Sequence, residues 1–547
     1  MDSCSVLSRL SQMSDQAQVS VTPIATKDLA PSPPISLGLV VLLNLALGLG
    51  HLLVLFNTGA YLPMIPHVAG SLGRNPSYVD WTQSDFFMAM AFAFPTAAWF
   101  HQQWGEVRAL SGAFLVFALA SAICAATHDY RWFLAARIFQ GYSGGITIPL
   151  SLGVVLRHYT PPKRNIGLTL WGVAAIAPFT LGPTIGGWIT DVLGWRWLFY
   201  LNVPVAIAVG LVSVAILWGR EAEHHHPPLD WQGVFLLLVG IFALQSALNL
   251  GEMDDWLRSP VVIGLLLCGT VALIYFAAWE WNTLHPLLDL RLLRRRNFLI
   301  GGLGLFLTAL CFQGTMAIYI VQFQLTFGYT AWMVGLLLLP MAVFSKLTSM
   351  LTHRYVHRVD PRIIGLIALC GFSIGSFWVS SYNKNASFAE LLWPQILVGI
   401  FLGGLFPPLA AIGLSGLRKS AEMRGTAFLN LLRVSGQAMG IPVVAALWDR
   451  RRILHRHFLG EGNAMTREQL SSAHHVLQDN GIGAPVSHGL LTSAIAHQAA
   501  LLAFNEIFHI AGWAFLALGL LLLLARPVVF AEPDARVRLA MEELVEP

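Results

Sequence analysis

Fourteen long apolar runs, separated by stretches holding Pro, Gly and charge, constrain this chain more than any other feature of its sequence. They fall at about 37–62, 80–100, 107–127, 132–156, 165–190, 197–218, 231–250 and 259–279, then 298–324, 330–351, 363–382, 388–415, 424–448 and 507–525. A helix needs ~20 apolar residues to cross the hydrocarbon core of a bilayer, and each run is of that order. Only helices and closed barrels satisfy their backbone polar groups in lipid. Barrel strands alternate polar and apolar positions over ~10 residues, whereas Val261–Phe276 is apolar almost without a break. The expected fold is all-α and integral to a membrane, with 14 transmembrane helices.

Charge content agrees. Only 11% of residues are charged, against about 25% in soluble domains. The net charge of +4 is too small to imply a polyanion partner. A soluble enzyme, a nucleic-acid binder, a disordered scaffold and a single-span receptor are all excluded. Cys4, Cys124, Cys268, Cys311 and Cys370 show no paired spacing, so neither a disulfide framework nor a zinc site is implied. No phosphate-binding Gly-Lys-Ser/Thr loop occurs, so ATP is not the expected energy source. No nucleophile–base set stands out among the helices, so the chain reads as a non-enzyme without cofactor. His224-His225-His226 lacks the further ligands of a metal site and reads as a solvated loop.

Met1–Pro34 is polar and lacks the apolar core of a signal peptide, which makes 1–36 a disordered cytoplasmic tail. Lys and Arg favour the loops that a cytoplasmic N-terminus places inside. Half of the outer basic residues fall in one long segment, 449–506, and long loops obey the charge rule poorly. Both termini are therefore expected in the cytoplasm. The basic loop His101–Arg108 after the second span has a counterpart, His353–Arg362, after the tenth. That repeat suggests two six-helix bundles, 37–218 and 298–525, with a helix pair 231–279 inserted between them and a cytoplasmic tail 526–547. Repeats about a central site are typical of secondary transporters.

Ionisable side chains inside a membrane are costly, about 2.5–3.5 kcal/mol on insertion scales, and call for an explanation. Asp85 in the second span lies roughly 9 Å below the outer surface and Arg137 in the fourth about 8 Å, at 1.5 Å rise per residue. Asn57 falls in the same layer. A carboxylate and a guanidinium at one depth can pair, and protonation that releases such a pair is the physics of a gated proton carrier. The plainer reading is a structural ion pair, or an Asp that faces water. Arg137, Gln140, Gly141 and Gly144 share one helical face. Arg433, with Asn430 and Gln437, makes a similar stripe at mid-membrane depth in the thirteenth span. It reads either as a substrate or anion contact or as a bond to a carbonyl at a helix break. His51 is either a pH-sensitive group or a passive core residue. Lys346 sits near a helix end and can snorkel.

The fifth span contains Ala177-Pro178-Phe179-Thr180-Leu181-Gly182-Pro183-Thr184-Ile185-Gly186-Gly187. Gly182 and Gly186 let another helix approach closely, while Pro178 and Pro183 remove backbone donors and bend the helix. With the following Trp195-Arg196-Trp197-x-Phe199-x-x-Asn202-x-Pro204, with Arg137-x-x-Gln140-Gly141 and with Pro161-Pro162-Lys163-Arg164, the chain resembles the major facilitator superfamily. Within it, the similarity is to the fourteen-helix drug:proton antiporter-2 group of EmrB/QacA type, from about 37 to 527. Asn297-Phe298, Arg433 and Asn505-Glu506-Ile507-Phe508 also fit.

The resemblance implies alternating access, with proton influx driving export of an amphipathic organic solute across the inner membrane. It also implies a periplasmic adaptor and an outer-membrane channel as partners, for which 449–506 is the candidate docking segment. Asp85 and Arg137 become the proton-coupling candidates, and Pro178, Gly182, Pro183, Gly186 and Gly187 the antiporter motif. His51, Asn57, Gln140, Asn430, Arg433 and Gln437 are the candidate cavity residues. A dedicated exporter of one metabolite, such as a siderophore or an aromatic acid, is an alternative, and a non-transporting sensor or assembly partner is another.

Three departures stand out. The family's acidic residue in the first span is Asn57 here, and Asp85 occupies a position that is small and polar in relatives. The loop after the second span, Ala98-Trp99-Phe100-His101-Gln102-Gln103-Trp104-Gly105, keeps only the terminal glycine of the family's motif. The expectation is that the carboxylate has moved from the first span to the second, beside Arg137, so that Asn57→Asp is tolerated. The inter-bundle latch at this loop is expected to be weak or rebuilt from hydrogen bonds.

Overall fold

In a computed structural model of the protein, the described residues are 37–158, 167, 181–219, 229–283, 286–355, 359–460, 464–480 and 483–528. Their regular structure is entirely helical, with no strand among them. The N-terminal bundle comprises α1 (Leu37–Ala60), a short α2 (Ile65–Ser71), α3 (Pro76–Trp104), α4 (Glu106–Ala126), α5 (Tyr130–His158), α6 (helical from 181 to 192) and α7 (Arg196–Leu217). An inserted pair follows, α8 (Trp231–Gly251) and α9 (Pro260–Asn282). The C-terminal bundle comprises α10 (Arg296–Leu325), α11 (Ala331–Tyr355), α12 (Pro361–Val379), α13 (Phe388–Leu402), α14 (Phe406–Leu414), α15 (Lys419–Gly460), α16 (Ala464–Asp479) and α17 (Ala484–Leu522).

Twelve of the described segments are long and apolar enough to cross a membrane, α13 and α14 counting as one. The second span, α3, has 29 residues but carries Asp80, Gln83 and Asp85, which lower its hydropathy. The fifth span is described only at 167 and from 181 onward. With α3 the described residues account for thirteen of the fourteen runs read from the sequence, and most of the fifth lies outside them.

Local signals set the helix ends. Asp360 caps α12 ahead of Pro361, and Ser387 with Glu390 forms a capping box on α13. Gly105 has φ 81°, a left-handed conformation suited to glycine, and it turns the chain from α3 into α4. That requirement explains why this residue alone survives from the family's loop motif. The rest of the loop is rebuilt: Arg157 of α5 donates to Glu106 at 2.6 Å and meets His101 at 2.7 Å, while Trp99 packs against Trp231 at the start of α8.

The segment 449–506, expected as a long loop, is largely helix. α15 runs 42 residues and α17 runs 39, with α16 between them. At 1.5 Å per residue α15 is about 63 Å long, roughly twice the ~30 Å hydrocarbon core. Nothing between Asp449 and Phe458 breaks a helix, so the chain stays helical after its apolar run ends.

α3 packs along α5 within its own bundle and along α15 of the opposite bundle, and α8 touches both α3 and α15. At the end assigned outward from the charge distribution, hydrogen bonds join the bundles. Thr184 Oγ1 of α6 donates to Gly335 O of α11 at 2.6 Å, Trp332 N to Asp191 Oδ2 at 2.8 Å, and Gln324 Nε2 to Pro63 O at 3.1 Å. The outer ends of the two bundles are therefore in contact.

Candidate functional site

Arg137 lies in the middle of the N-terminal bundle and is completely buried. Nη1 donates to Gln140 Oε1 and Nη2 to Gln83 Oε1, both at 2.6 Å. Gln140 is anchored in turn by donating to Ser121 of α4 at 2.7 Å, and Gln83 by donating to Thr58 O of α1 at 3.0 Å. The guanidinium sits over the rings of Phe86 at 4.2 Å and Tyr61 at 4.3 Å. Two hydrogen bonds to a charged group contribute about 1.5–3 kcal/mol each, and a desolvated cation–π contact about 2. These contacts hold the buried cation with no carboxylate paired to it among the described residues, and they leave its Nε without a hydrogen-bond partner. Gly141 permits the arrangement, because a Cβ there would collide with the backbone carbonyl of Phe86.

The expected pair between Asp85 and Arg137 does not form. Depth in the membrane agrees, but azimuth does not. Gln83 and Asp85 are two residues apart on α3 and therefore point about 200° away from each other. Gln83 faces Arg137, so Asp85 faces the opposite side, toward the inserted pair and α15. There Asp85 is 8% exposed, and its Oδ1 accepts from Asn249 Nδ2 of α8 at 3.2 Å. Asn249 Oδ1 accepts from Ser84 and from Gln245, each at 3.1 Å, and Gln245 Nε2 also donates to Ala438 O of α15 at 3.3 Å. Asp85 thus sits at the seam of both bundles and the inserted helix, with no cation paired to it among the described residues.

Asn57 is likewise not a cavity residue. It is fully buried in a reciprocal amide pair with Asn202 of α7, at 3.0 and 3.1 Å, and it donates to Leu53 O at 3.1 Å. Gln140 serves Arg137 instead of lining a cavity. The expectation that Asn57→Asp is tolerated changes accordingly. An ionised Asp has no donor for Leu53 O or Asn202 Oδ1, and unsatisfied buried groups cost about 1–3 kcal/mol each. Asn57→Asp is therefore expected to lower the thermal unfolding midpoint of the purified protein, measured beside wild type.

Asn430, Arg433 and Gln437 do share a face of α15. Arg433 is half-buried, and its Nη2 donates to Asn430 Oδ1 at a long 3.4 Å, while Gln437 is buried. No described carboxylate pairs with Arg433. On neighbouring faces of the same helix, Gly436 and Gly440 press on the carbonyls of Phe306 and Leu310 in α10, and Ala438 O meets Gln245 of α8. His51 is buried in α1.

Of the antiporter motif, Pro178 lies outside the described residues. The others are buried. A Cβ on Gly182 would stand 2.8 Å from Ala60 N, and one on Gly186 would collide with Ala60 O, so both press α6 onto α1. Gly187 instead faces the opposite bundle, against the carbonyl of Ala331 at the start of α11.

Four residues escaped the reading of the sequence: Gln83, Gln245, Asn249 and Asp80. Asp80 has a buried Oδ1 without a hydrogen-bond partner. The signal was present, since amides within apolar runs carry the same desolvation cost in kind as charges, and Gln245 and Asn249 recur at i, i+4.

The Major Facilitator Superfamily model matches residues 47–441. The chain is 31% identical to the multidrug export protein EmrB of Haemophilus influenzae, over 90% of this chain and 97% of that protein. It is 29% identical to the fatty acid resistance protein FarB of Neisseria gonorrhoeae, over 90% and 98%. Among solved structures, a bacterial homologue of the human lysosomal transporter Spinster, inward-facing and unoccupied, superposes with a TM-score of 0.56 at 14% identity. That match covers 91% of this chain and 100% of the other, a likeness of fold.

Proposed function

Since this chain belongs to the Major Facilitator Superfamily, in its drug:proton antiporter branch of EmrB type, we propose that it exports amphipathic organic compounds by alternating access in exchange for protons. The observation that carries this reading is Asp85, a carboxylate buried where α3, α8 and α15 meet. An acid there changes the energy of the seam whenever it gains or loses a proton, because a buried charge without a cation partner is costly. Arg137 holds the N-terminal bundle rigid behind it and does not itself trade partners with Asp85. The family names of the relatives support the substrate class, and the glycine-mediated contacts of α6 with α1 and α11 supply an outer closure of the kind alternating access requires.

The chain sits in the cytoplasmic membrane with both termini inside. α15, α16 and α17 extend beyond the outer surface and carry exposed apolar side chains, Phe458, Val476 and Val486 among them. A periplasmic adaptor leading to an outer-membrane channel suits that surface.

The test uses everted membrane vesicles energised to an acidic interior and loaded with a pH dye. Adding lipophilic cations, aromatic acids or siderophores should release protons from the lumen for the transported class, beyond the release from vesicles lacking the protein. No release with any compound, from protein shown to be folded and inserted, would move the reading to a sensor or assembly partner.

Arg433 favours anionic amphipaths within that class, because a half-buried cation without a carboxylate partner attracts one. Arg433→Gln is expected to weaken transport of organic acids about 12- to 150-fold in apparent affinity, the loss of ~1.5–3 kcal/mol from a hydrogen bond to a charged group. Lipophilic cations should be little affected. Concentration dependence of proton release for an acid and a cation, side by side, checks this.

A further inference from the structure

α8 belongs to neither six-helix bundle, yet it is bonded to both. Gln245 and Asn249, four residues apart, share one face of the helix. Asn249 reaches Asp85 and Ser84 on α3, and Gln245 reaches the Ala438 carbonyl on α15. Beyond the end of α8, Glu252 pairs with Arg450 of α15 at 3.2 Å, and Trp256 donates to the same carboxylate oxygen at 2.8 Å. Gln245 is fully buried, and its Oε1 is an acceptor without a hydrogen-bond partner.

Resting on the antiport reading, we propose that α8 is the strap that transmits protonation of Asp85 to the C-terminal bundle, with Asn249 and Gln245 as its positioning residues. A carboxylate only accepts hydrogen bonds, so an ionised Asp85 requires Asn249 to present its NH2. Asn249 Oδ1 then faces Gln245, whose NH2 serves both Asn249 and Ala438. The donors of the whole chain point one way because its end is an anion. When Asp85 takes a proton from outer water, it gains an O–H that donates, and the charge-assisted part of its hold on Asn249 is lost. Asn249 can then turn its oxygen toward that O–H and its NH2 toward Gln245. The unsatisfied Oε1 of Gln245 is the acceptor this reversed arrangement needs. Turning Gln245 withdraws its NH2 from Ala438, and α15 loses this tie to α8.

Several other charged groups on the surrounding helices are engaged elsewhere, whereas Asp80 and Arg433 have no ion partner among the described residues. On α5, Arg137 is bound to Gln83 and Gln140 on the far side of α3, and the Tyr130 hydroxyl donates to Tyr78 O. On α15, Asp449 pairs with Arg452 at 2.7 Å, and His67 of α2 lies 3.9 Å from Asp191. At the other end of α3, Glu106 of α4 holds Arg157. Asp80, five residues outward on α3, is the second carboxylate on this helix.

The test compares wild type, Asp85→Asn, Asn249→Leu and Gln245→Leu in proteoliposomes. It measures the proton-to-substrate ratio, the pH profile of exchange, and the distance between spin labels on the outer ends of α3 and α15. In wild type the label distance should change with pH. In both Leu variants it should become independent of pH and the proton-to-substrate ratio should fall toward zero, while substrate counterflow persists. Gln245→Leu removes no contact to Asp85 itself, so it serves if Asn249→Leu does not fold. Leu variants that keep the wild-type ratio and pH profile, while Asp85→Asn loses both, overturn the strap and leave antiport standing. A wild type that couples no protons overturns the antiport reading itself, and the strap with it.

Discussion

Asp85→Asn is expected to reduce substrate-driven proton release in everted vesicles to the background of vesicles lacking the protein. The substitution is nearly isosteric, and the Asn oxygen still accepts from Asn249 Nδ2 where Asp85 Oδ1 accepts at 3.2 Å. The charge and the capacity to bind a proton are removed together, which leaves a neutral side chain that resembles the protonated acid. Folding and insertion should therefore be preserved, and substrate counterflow, which needs no net proton movement, should continue. Because Asp80 lies on the same helix with a buried, unpartnered oxygen, Asp80→Asn is the necessary companion. Release retained in Asp85→Asn and lost in Asp80→Asn would transfer the proton-carrying role one and a half turns outward. Release retained in both would sink the assignment to α3 altogether.

Gly187→Leu is expected to block closure of the outer end and to stop export. A Cβ at this position already collides with the carbonyl of Ala331 in the opposite bundle, which is backbone and cannot move aside as a side chain can. Forcing extra methylenes into a packed interface costs typically about 1–3 kcal/mol, and that cost falls only on the state in which α6 and α11 touch. By population-shift arithmetic the balance between outer-closed and outer-open states moves about 5- to 150-fold. Thr184 is buried at this contact, 6% exposed. Thr184→Cys should therefore resist a membrane-impermeant maleimide applied from outside in the wild-type background and react readily in Gly187→Leu. Unchanged labelling would show that the bundles separate elsewhere. Gly186→Leu should act differently, because Gly186 presses on α1 within its own bundle, and its effect should appear as lost thermal stability.

The glycine run of the fifth span was readable because close helix approach demands a missing side chain, a property of the residue itself. Its direction was not. Gly186 and Gly187 are adjacent in sequence yet face different bundles, since each residue turns the helix by about 100°. The same turn defeated the pairing of Asp85 with Arg137. Two residues of offset placed Gln83 against the guanidinium and the carboxylate against α8. Asn57 and Asn202 lie 145 positions apart, and nothing in either span marks them as partners. The outer segment was misread for a different reason: polarity ends a span, whereas only breakers and caps end a helix.

The sequence by itself determined that this chain spans a membrane many times as helices and to which family it belongs. Those properties follow from run lengths and local motifs, because the free energy of inserting a segment in lipid is nearly a sum over its own residues. The tertiary structure alone decided which polar groups meet: Arg137 with two glutamines, Asp85 with Asn249, and Gln245 with the carbonyl of Ala438. Such pairings depend on the rotational phase of each helix against neighbours distant in sequence. Packing fixes that phase, and no single span encodes it.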